Sequence, residues 1–207
     1  TIETHSFDYE FYLNKGKNTK IKKNYAVFLD EDLYYHRDFK YQKNIIRPVT
    51  KKYFKEINNF FEFFEKEKKM RVVVALHPRI KNSNKYKKIF NKRACFLDKS
   101  FELVKHASLV FLHPSTTSLS LPVIYKKPFR FIVSDEMEDS LIWRVRHEIR
   151  KDLFNQKTIN ISHIDQNTNI KNIKMCNTKD YENYLKSYIK SNNKQKKIYN
   201  TLFNYLN

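Results

Sequence analysis

The residues best suited to hold an anion lie between two apolar runs near the middle of the chain. A histidine and a run of hydroxyl residues, His113 and Ser115 to Ser118, follow the apolar run Leu109 to Leu112. Backbone N–H groups and hydroxyls at a helix start can hold a phosphate without glycine. One hydroxyl is enough to cap a helix, and this run has four. The residues predicted to bind a nucleotide or phosphate here are His113, Ser115, Thr116, Thr117 and Ser118.

Pro122 leaves two alternatives for the geometry of this hydroxyl run. The hydroxyls can sit at the start of a helix, in which case a proline inside that helix removes a hydrogen bond. They can also lie in an extended loop, with the regular helix beginning near Leu121 and Pro122 in its first turn. The second arrangement places the proline where its missing N–H costs no hydrogen bond. Both arrangements put the hydroxyls at the carboxyl end of a strand.

A second anion-binding candidate is the segment His77-Pro78-Arg79, which follows the β-branched run Arg71 to Leu76. Arginine can hold a phosphate through two parallel hydrogen bonds, and a histidine beside it adds a donor. The alternative is an ordinary turn whose two side chains are solvated. We predict His77 and Arg79 as further phosphate-binding residues.

An acidic loop follows the first apolar run, Tyr25 to Leu29, in a chain that is otherwise basic. Its carboxylates at positions 30 to 32 can bind sugar hydroxyls or act as a general base. The catalytic candidates are Asp30 and His36, and the alternative is solvated loop charge.

Asp135 and Glu136 follow the run Phe129 to Val133. They can bind the hydroxyls of a ribose or another sugar, or they can simply favour the amino end of the next helix. The chain has no His or Cys spacing typical of a zinc site. A structural zinc is therefore not expected.

These candidates all follow segments that the sequence predicts as strands. Apolar runs alternate with helical patterns roughly six times, which is typical of a parallel sheet. The predicted strands cover 25–29, 71–76, 94–97, 109–112, 129–133 and 158–161. The predicted helices cover 51–68 with Thr50 as cap, 100–106, a short segment near 121, 135–154, and the chain from 179 onward. Residues 81–92 are predicted as a loop with a helical turn.

We therefore predict an α/β fold, a Rossmann-like parallel sheet of about six strands with helices on both faces. Parallel strands point their carboxyl ends to one edge, where ligands bind at the reversal of strand order. In the common order 3-2-1-4-5-6, the loops that begin at Asp30 and at His113 face each other across this reversal.

The amino-acid composition indicates which classes of binding partner to expect. The net charge is +19, but the excess lysine travels with many Asn, Ile, Tyr and Phe residues, a joint bias expected of AT-rich coding sequence. The single glycine excludes glycine-rich phosphate loops. Most Phe residues fall on apolar helix faces rather than on a base-stacking surface. Nucleic acid is thus not the expected partner, and the charge favours phosphates, nucleotides or an acidic membrane surface.

Three segments together resemble the C-terminal, nucleotide-sugar-binding domain of GT-B glycosyltransferases. They are YAVFLDEDL, VVVALHPR and SLVFLHPSTTSLSLPVIYKKPFRFI. The likeness covers about residues 25–160 and is greatest to the bacterial surface-carbohydrate group. The order of motifs is also similar to that of capsule sialyl- and Kdo-transferases and of glycerophosphotransferases of teichoic-acid synthesis.

The resemblance implies a transferase acting on a nucleotide-sugar, CMP- or UDP-linked, with a bacterial surface polysaccharide or lipopolysaccharide as acceptor. It implies that the His-Pro and hydroxyl motifs meet the donor's phosphate and nucleotide, through His77, Arg79, His113, Ser115, Thr116 and Ser118. Expected partners are the donor, a saccharide or lipid-linked saccharide acceptor, and an acidic membrane surface. GT-B transfer usually needs no metal, so the resemblance implies no metal and no cofactor. In that group the catalytic base often comes from an N-terminal domain.

The predicted organisation has three parts. Residues 1–24 are expected to be a linker or the end of an upstream domain, 25–177 the donor-binding domain, and 178–207 basic amphipathic helices. No apolar stretch approaches the roughly 20 residues of a membrane span. Two cysteines are too few for a disulfide framework, which favours a cytoplasmic protein. The basic C-terminal helices favour a peripheral position on the inner face of the cytoplasmic membrane. The alternative function is a basic nucleic-acid-binding module without enzymatic activity.

Overall fold

Six parallel strands form the centre of the fold in a computed structural model that describes residues 4–15, 24–35, 49–165, 168, 170, 177–191 and 197–206. The strands are β1 (Tyr25–Leu29), β2 (Arg71–Ala75), β3 (Cys95–Phe96), β4 (Leu109–Leu112), β5 (Phe129–Val133) and β6 (Ile159–Asn160). Their order is β3-β2-β1-β4-β5-β6, and every neighbouring pair is parallel. The predicted α/β fold is confirmed, and the strands follow the common order 3-2-1-4-5-6.

Helices cover both faces of this sheet. Their bounds are α1 (Phe7–Lys15), α2 (Lys52–Lys68), α3 (Ser83–Ile89), α4 (Ser100–His106), α5 (Ser120–Ile124), α6 (Asp135–Asp139), α7 (Leu141–Phe154), α8 (Thr178–Tyr184) and α9 (Ile198–Leu206). A π-helical turn, Leu185–Ile189, extends α8. The helix α3 replaces most of the loop predicted for 81–92.

The two faces of the sheet have separate apolar layers because side chains alternate along each strand. In β1, Ala26 and Phe28 belong to the layer beneath α2. Val27 and Leu29 point the other way, to the layer that contains α5 and α8. Both faces are covered, so the central strands are buried at nearly every position and read as continuous apolar runs.

The segment predicted as one helix over 135–154 is two helices. Ser140 has extended backbone angles, φ −83° and ψ 116°, which end α6 and start α7 in a new direction. The helical pattern of 135–154 predicts an inner stripe of Leu141, Ile142, Val145 and Ile149. That prediction is wrong, because Leu141, Val145 and Ile149 are 65%, 49% and 55% exposed. Ile142, the fourth predicted member, has a side chain outside the described residues.

A second stripe of α7 faces the core instead. Phe154 is buried against β5, His147 is buried, and Trp143 packs beside the layer under α2. Their spacing also follows the helical period, so both stripes are amphipathic by sequence. The change of direction at Ser140 decides between them, because it rotates which side of α7 meets the sheet.

The structure resolves the alternatives for Pro122. A short 3₁₀ turn, Thr117–Leu119, leads directly into α5. Pro122 lies in the first turn of α5, where a helix needs no N–H donor from the chain. The loop-then-helix alternative therefore holds, and Ser115 and Thr116 lie in the loop before the turn.

The amino-terminal segment expected to be a linker contains a packed helix. The Ser6 N–H donates to the Ile189 carbonyl at 2.8 Å, and the Ser191 N–H donates to His5 Nδ1 at 2.9 Å. The Ile198 N–H donates to Glu10 at 3.1 Å. The two ends of the chain thus pack together, and among the described residues no helix is both long and apolar enough to cross a membrane.

Candidate functional site

A polar pocket of about 1120 Å³ opens at the carboxyl edge of the sheet, where β1 and β4 diverge into their loops. Its walls come from the loops after β1, β2 and β4, and from α1, α4 and α7. The lining residues used below are Asp8, Asp30, Glu31, His77, Arg79, Asp98, Glu102, Lys105, Ser115, Thr116, Thr117, Ser118, Trp143 and Arg146. The reversal of strand order thus coincides with a cavity of ligand size.

Asp30 organises the loop ends on the β2 side of this pocket. Its N–H donates to the Ala75 carbonyl at 3.0 Å, and its Oδ1 accepts the Asp32 N–H at 3.2 Å. Burial raises the pKa of this carboxyl to about 7, helped by the charge of Asp32. Backbone N–H groups of Asp32, His77 and Glu31 act in the opposite direction. Asp30 lines the pocket but is held mainly by its own loop.

Glu31 points the other way, toward the loop after β4. The Ser115 hydroxyl donates to its carboxylate, with Oγ 2.8 Å and 3.0 Å from the two oxygens. Burial raises the Glu31 pKa to about 8, and the Asp30 charge adds to the rise. The Ser115 hydroxyl and the charges of Arg146 and Arg150 lower it. The loops after β1 and β4 therefore meet directly, as predicted from the strand order.

Basic side chains from several elements line the pocket, which Asp98 and Glu102 also line. His77 and Arg79 line it after β2, and the Arg79 N–H donates to His77 Nδ1 at 3.2 Å. Lys105 of α4 and Arg146 of α7 add positive charge from two further elements. Arginine and lysine side chains on separate elements can surround a phosphate from several sides.

Some hydroxyls of the run, Ser115 to Ser118, hydrogen-bond within the protein, and others line the pocket. Thr116 Oγ1 accepts the Ser118 N–H at 3.1 Å and so caps the 3₁₀ turn. Ser115 is committed to Glu31, while Thr117 and Ser118 line the cavity. Just beyond the run, the Ser120 hydroxyl donates to Asp8 of α1. That bond brings α1 to the rim of the pocket.

His113 does not have the predicted phosphate-binding geometry, because its ring is fully buried behind the hydroxyl run. Nδ1 lies 2.7 Å from the Ile132 carbonyl oxygen, which can only accept, so Nδ1 carries the proton. Nε2 is then the acceptor for the Tyr53 hydroxyl at 2.8 Å. Burial lowers the His113 pKa to about 4, so the ring is neutral. Its bonds tie β4 to β5 and α2.

Replacing Tyr53 with Phe tests this structural role of His113. The variant leaves His113 Nε2 buried without its donor, which should lower the free energy of unfolding by about 1 to 3 kcal/mol. Urea denaturation at pH 7 measures it. Nucleotide affinity, measured by calorimetry on the folded variant, should stay within about twofold of the parent. A variant with normal stability and greatly weakened nucleotide binding would instead place the ring at the ligand.

The other predicted site residues lie elsewhere. The Asp135 carboxylate accepts from Asn160 at 2.8 Å and from His163 at 3.0 Å. Glu136 accepts from the Thr50 backbone N–H at 2.8 Å and from its hydroxyl at 2.6 Å. Both carboxylates fasten loops at the β5–β6 side of the sheet, and neither is among the residues that line the polar pocket. His36 lies outside the described residues.

The residues of the pocket that the sequence prediction misses include Glu31, Trp143 and Arg146. Glu31 belongs to the acidic loop but is not among the predicted site residues. The alternation of side chains beyond a strand indicates that Asp30 and Glu31 point to different neighbours, which is the signal that could have found it. Arg146 and Trp143 reach the pocket only because α7 changes direction at Ser140, and no local pattern shows that.

Comparisons with known proteins do not identify a relative of this chain. No family model, no curated protein and no solved structure matches the chain. The likeness of its three motifs to GT-B donor domains therefore stays a hypothesis. What the structure itself supplies is a cavity at the strand-order reversal, with carboxyl, hydroxyl and cationic side chains around it.

Proposed function

We propose that this chain is the donor-nucleotide-binding half of a GT-B-type glycosyltransferase. The donor is a nucleotide-sugar, CMP- or UDP-linked, and the acceptor is a bacterial surface polysaccharide or lipopolysaccharide. The observation that carries the proposal is the polar pocket, in which loops from β1, β2 and β4 meet at the reversal of strand order. Doubly wound α/β proteins bind nucleotides at this position.

The charges around the pocket suit a phosphate together with sugar hydroxyls. Arg79, Lys105 and Arg146 supply donors and positive charge for phosphate oxygens. Asp30 and Glu31 would oppose an anion if both were ionised. Their raised pKa values keep much of that negative charge off near neutral pH. The same carboxyls accept hydrogen bonds from sugar hydroxyls.

Transfer in this proposal forms one bond and breaks one. The acceptor hydroxyl oxygen bonds to the donor's anomeric carbon, and the bond from that carbon to the phosphate oxygen breaks. The leaving phosphate keeps the electron pair, and cations such as Arg79 and Arg146 stabilise its charge. The proton of the acceptor goes to a carboxylate. We assign it to Glu31 in its ionised form, because Ser115 fixes this side chain and a pKa of about 8 makes its carboxylate a stronger base than an ordinary one.

Calorimetric titration with UDP, CMP and CDP tests the proposal. At least one nucleotide should bind, and Arg146→Ala should weaken its binding about 10- to 100-fold, as expected for losing a charged hydrogen bond. The matched control is Arg144→Ala, an exposed arginine of the same helix that does not line the pocket. It should bind nucleotide within about twofold of the parent.

Two outcomes would contradict the proposal. One is a folded protein that binds none of the three nucleotides. The other is an equal loss in the Arg144 and Arg146 variants, which would indicate attraction to the net charge of +19 alone. A single-stranded oligonucleotide bound more tightly than any nucleotide, with steep salt dependence, would favour the nucleic-acid alternative.

A further inference from the structure

A polar cluster outside the pocket holds the middle of α7. It consists of Glu138 of α6, His147 of α7, and Thr158, which directly precedes β6. The ring of His147 is buried, and its Nδ1 lies 2.6 Å from Glu138 Oε1. Its Nε2 is hydrogen-bonded to the Thr158 hydroxyl. We call these three residues the polar clamp, because one ring joins three successive elements of the chain.

The two contacts of the clamp fix how the His147 ring lies. The Glu138 carboxylate can only accept, so Nδ1 carries the proton, and Nε2 of the neutral ring accepts the Thr158 hydroxyl. The angle at Nδ1 is not that of a hydrogen bond, so this contact is an electrostatic attraction. A buried ring with polar partners on both sides favours one arrangement over its neighbours. The clamp therefore fixes the rotation of α7 about its own axis.

The orientation of α7 is not the one that apolar burial alone favours. Leu141, Val145 and Ile149 form the more apolar stripe of this helix, yet they remain exposed. The stripe that faces the core contains His147 and Phe154 instead. Burying the first stripe would remove more apolar area from water. The break at Ser140 lets α7 turn, and the polar clamp holds the orientation that it takes.

This orientation brings two side chains of α7 into the polar pocket. Trp143 lies one helical turn before His147, Arg146 directly precedes it, and both line the cavity. The Arg146 guanidinium carbon lies 5.9 Å from the centre of the Trp143 ring. Burial raises the Glu31 pKa, and the charge of Arg146 counteracts that rise. A rotation of α7 would therefore change the phosphate donor and the base together.

We propose that His147 is a positioning residue for the nucleotide site, because the polar clamp presents Arg146 and Trp143 to the polar pocket. The inference rests on the proposed function, which assigns Arg146 to the donor phosphate. It adds a residue that acts on the ligand only through α7, since His147 is not among the described residues that line the pocket.

Replacing His147 with Leu removes both polar contacts and keeps a side chain of moderate size. Binding of UDP, CMP and CDP, measured by calorimetry, should weaken roughly tenfold. The double variant with Arg146→Ala should bind no more weakly than Arg146→Ala alone, because both changes remove the same interaction. Thr158→Val, which loses only the hydroxyl, should weaken binding at least about threefold. Thr158→Ser keeps the hydroxyl and should bind within about twofold of the parent.

Trp143 is the single tryptophan of the chain, so its fluorescence reports the position of α7 without any ligand. Acrylamide should quench this emission more strongly in His147→Leu and Thr158→Val than in the parent under native conditions. Val72→Ala is the control for lost stability, because Val72 is buried at the start of β2. It should unfold more easily in urea but keep the quenching and the nucleotide affinity of the parent.

The two readouts separate this inference from the proposed function. If the parent binds nucleotide and both clamp variants bind it equally well, the inference fails and the proposed function stands. If the parent binds none, the proposed function fails, while stronger Trp143 quenching in the clamp variants still supports the control of α7 by His147, and unchanged quenching overturns it. Weakened binding with unchanged quenching, or additive losses in the double variant, would also overturn the inference. If His147→Leu does not fold, the Thr158 pair decides.

Discussion

Glu31→Gln should raise the free energy of unfolding by about 2 kcal/mol above pH 8 and leave it nearly unchanged near pH 5. Burial raises the Glu31 pKa to about 8 in the folded protein, whereas an unfolded glutamate titrates near its ordinary value of 4.5. As pH rises between these values, the unfolded chain releases the proton first. Wild-type stability therefore falls across this window, and glutamine, which has no proton to lose, avoids the fall.

The expected difference of about 2 kcal/mol is smaller than the free energy that the full pKa shift corresponds to. We reduce it because Glu31 is only partly shielded from solvent and lies near Arg146 and Arg150. The amide of the introduced glutamine also retains an oxygen that can accept the Ser115 hydroxyl, so the loop contact survives. Urea denaturation at about pH 5 and pH 8.5 measures the difference. Glu67→Gln, at an exposed helix position, should show no pH dependence beyond about 0.5 kcal/mol.

A Glu31→Gln variant that is less stable than the parent at high pH would contradict this account, because the carboxylate would then stabilise the fold. The expected outcome has a functional meaning. A buried acid that costs stability at physiological pH is retained for something other than folding, and perturbed carboxyls in a cleft are typical of active sites. Loss of sugar transfer in the same variant is the complementary observation.

Phe111→Ala should lower the free energy of unfolding by about 3 to 5 kcal/mol. Phe111 is fully buried in β4, and its ring lies edge-on to Phe60 at 5.1 Å and to Phe64 at 4.9 Å. Hydrogen bonds to β1 and β5 hold β4 on both sides, so the cavity left by the ring cannot collapse. Urea denaturation measures the loss, which is a large share of a typical domain's stability.

Phe96→Ala is the matched control for this prediction. Phe96 lies in the edge strand β3 and is 38% exposed, so its truncation should cost less than about 1.5 kcal/mol. Equal losses in the two variants, or a Phe111 loss below about 1 kcal/mol, would mean that α2 does not depend on this aromatic cluster. The cluster matters for the site because β4 leads into the loop that carries Ser115.

The sequence by itself determined the sheet. Runs such as Tyr25–Leu29 and Leu109–Leu112 are apolar at successive positions, which fits strands covered on both faces. Helical segments between them force parallel pairing with crossovers of one hand. The strand order was only assumed to be the common one, and the structure shows that order, which brings the loops after Leu29 and Leu112 together.

Only the tertiary structure decided which side chains share the pocket. His113 belongs to the core because Tyr53 and the Ile132 carbonyl occupy its nitrogens, and both partners are distant in sequence. Arg146 reaches the pocket because α7, which begins anew at Ser140, buries Phe154 and His147 instead of the more apolar stripe of Leu141, Val145 and Ile149. Local sequence sets periodicity and turn chemistry. The choice of helix face and the pairing of Glu31 with Ser115 depend on contacts that exist only once the sheet has closed.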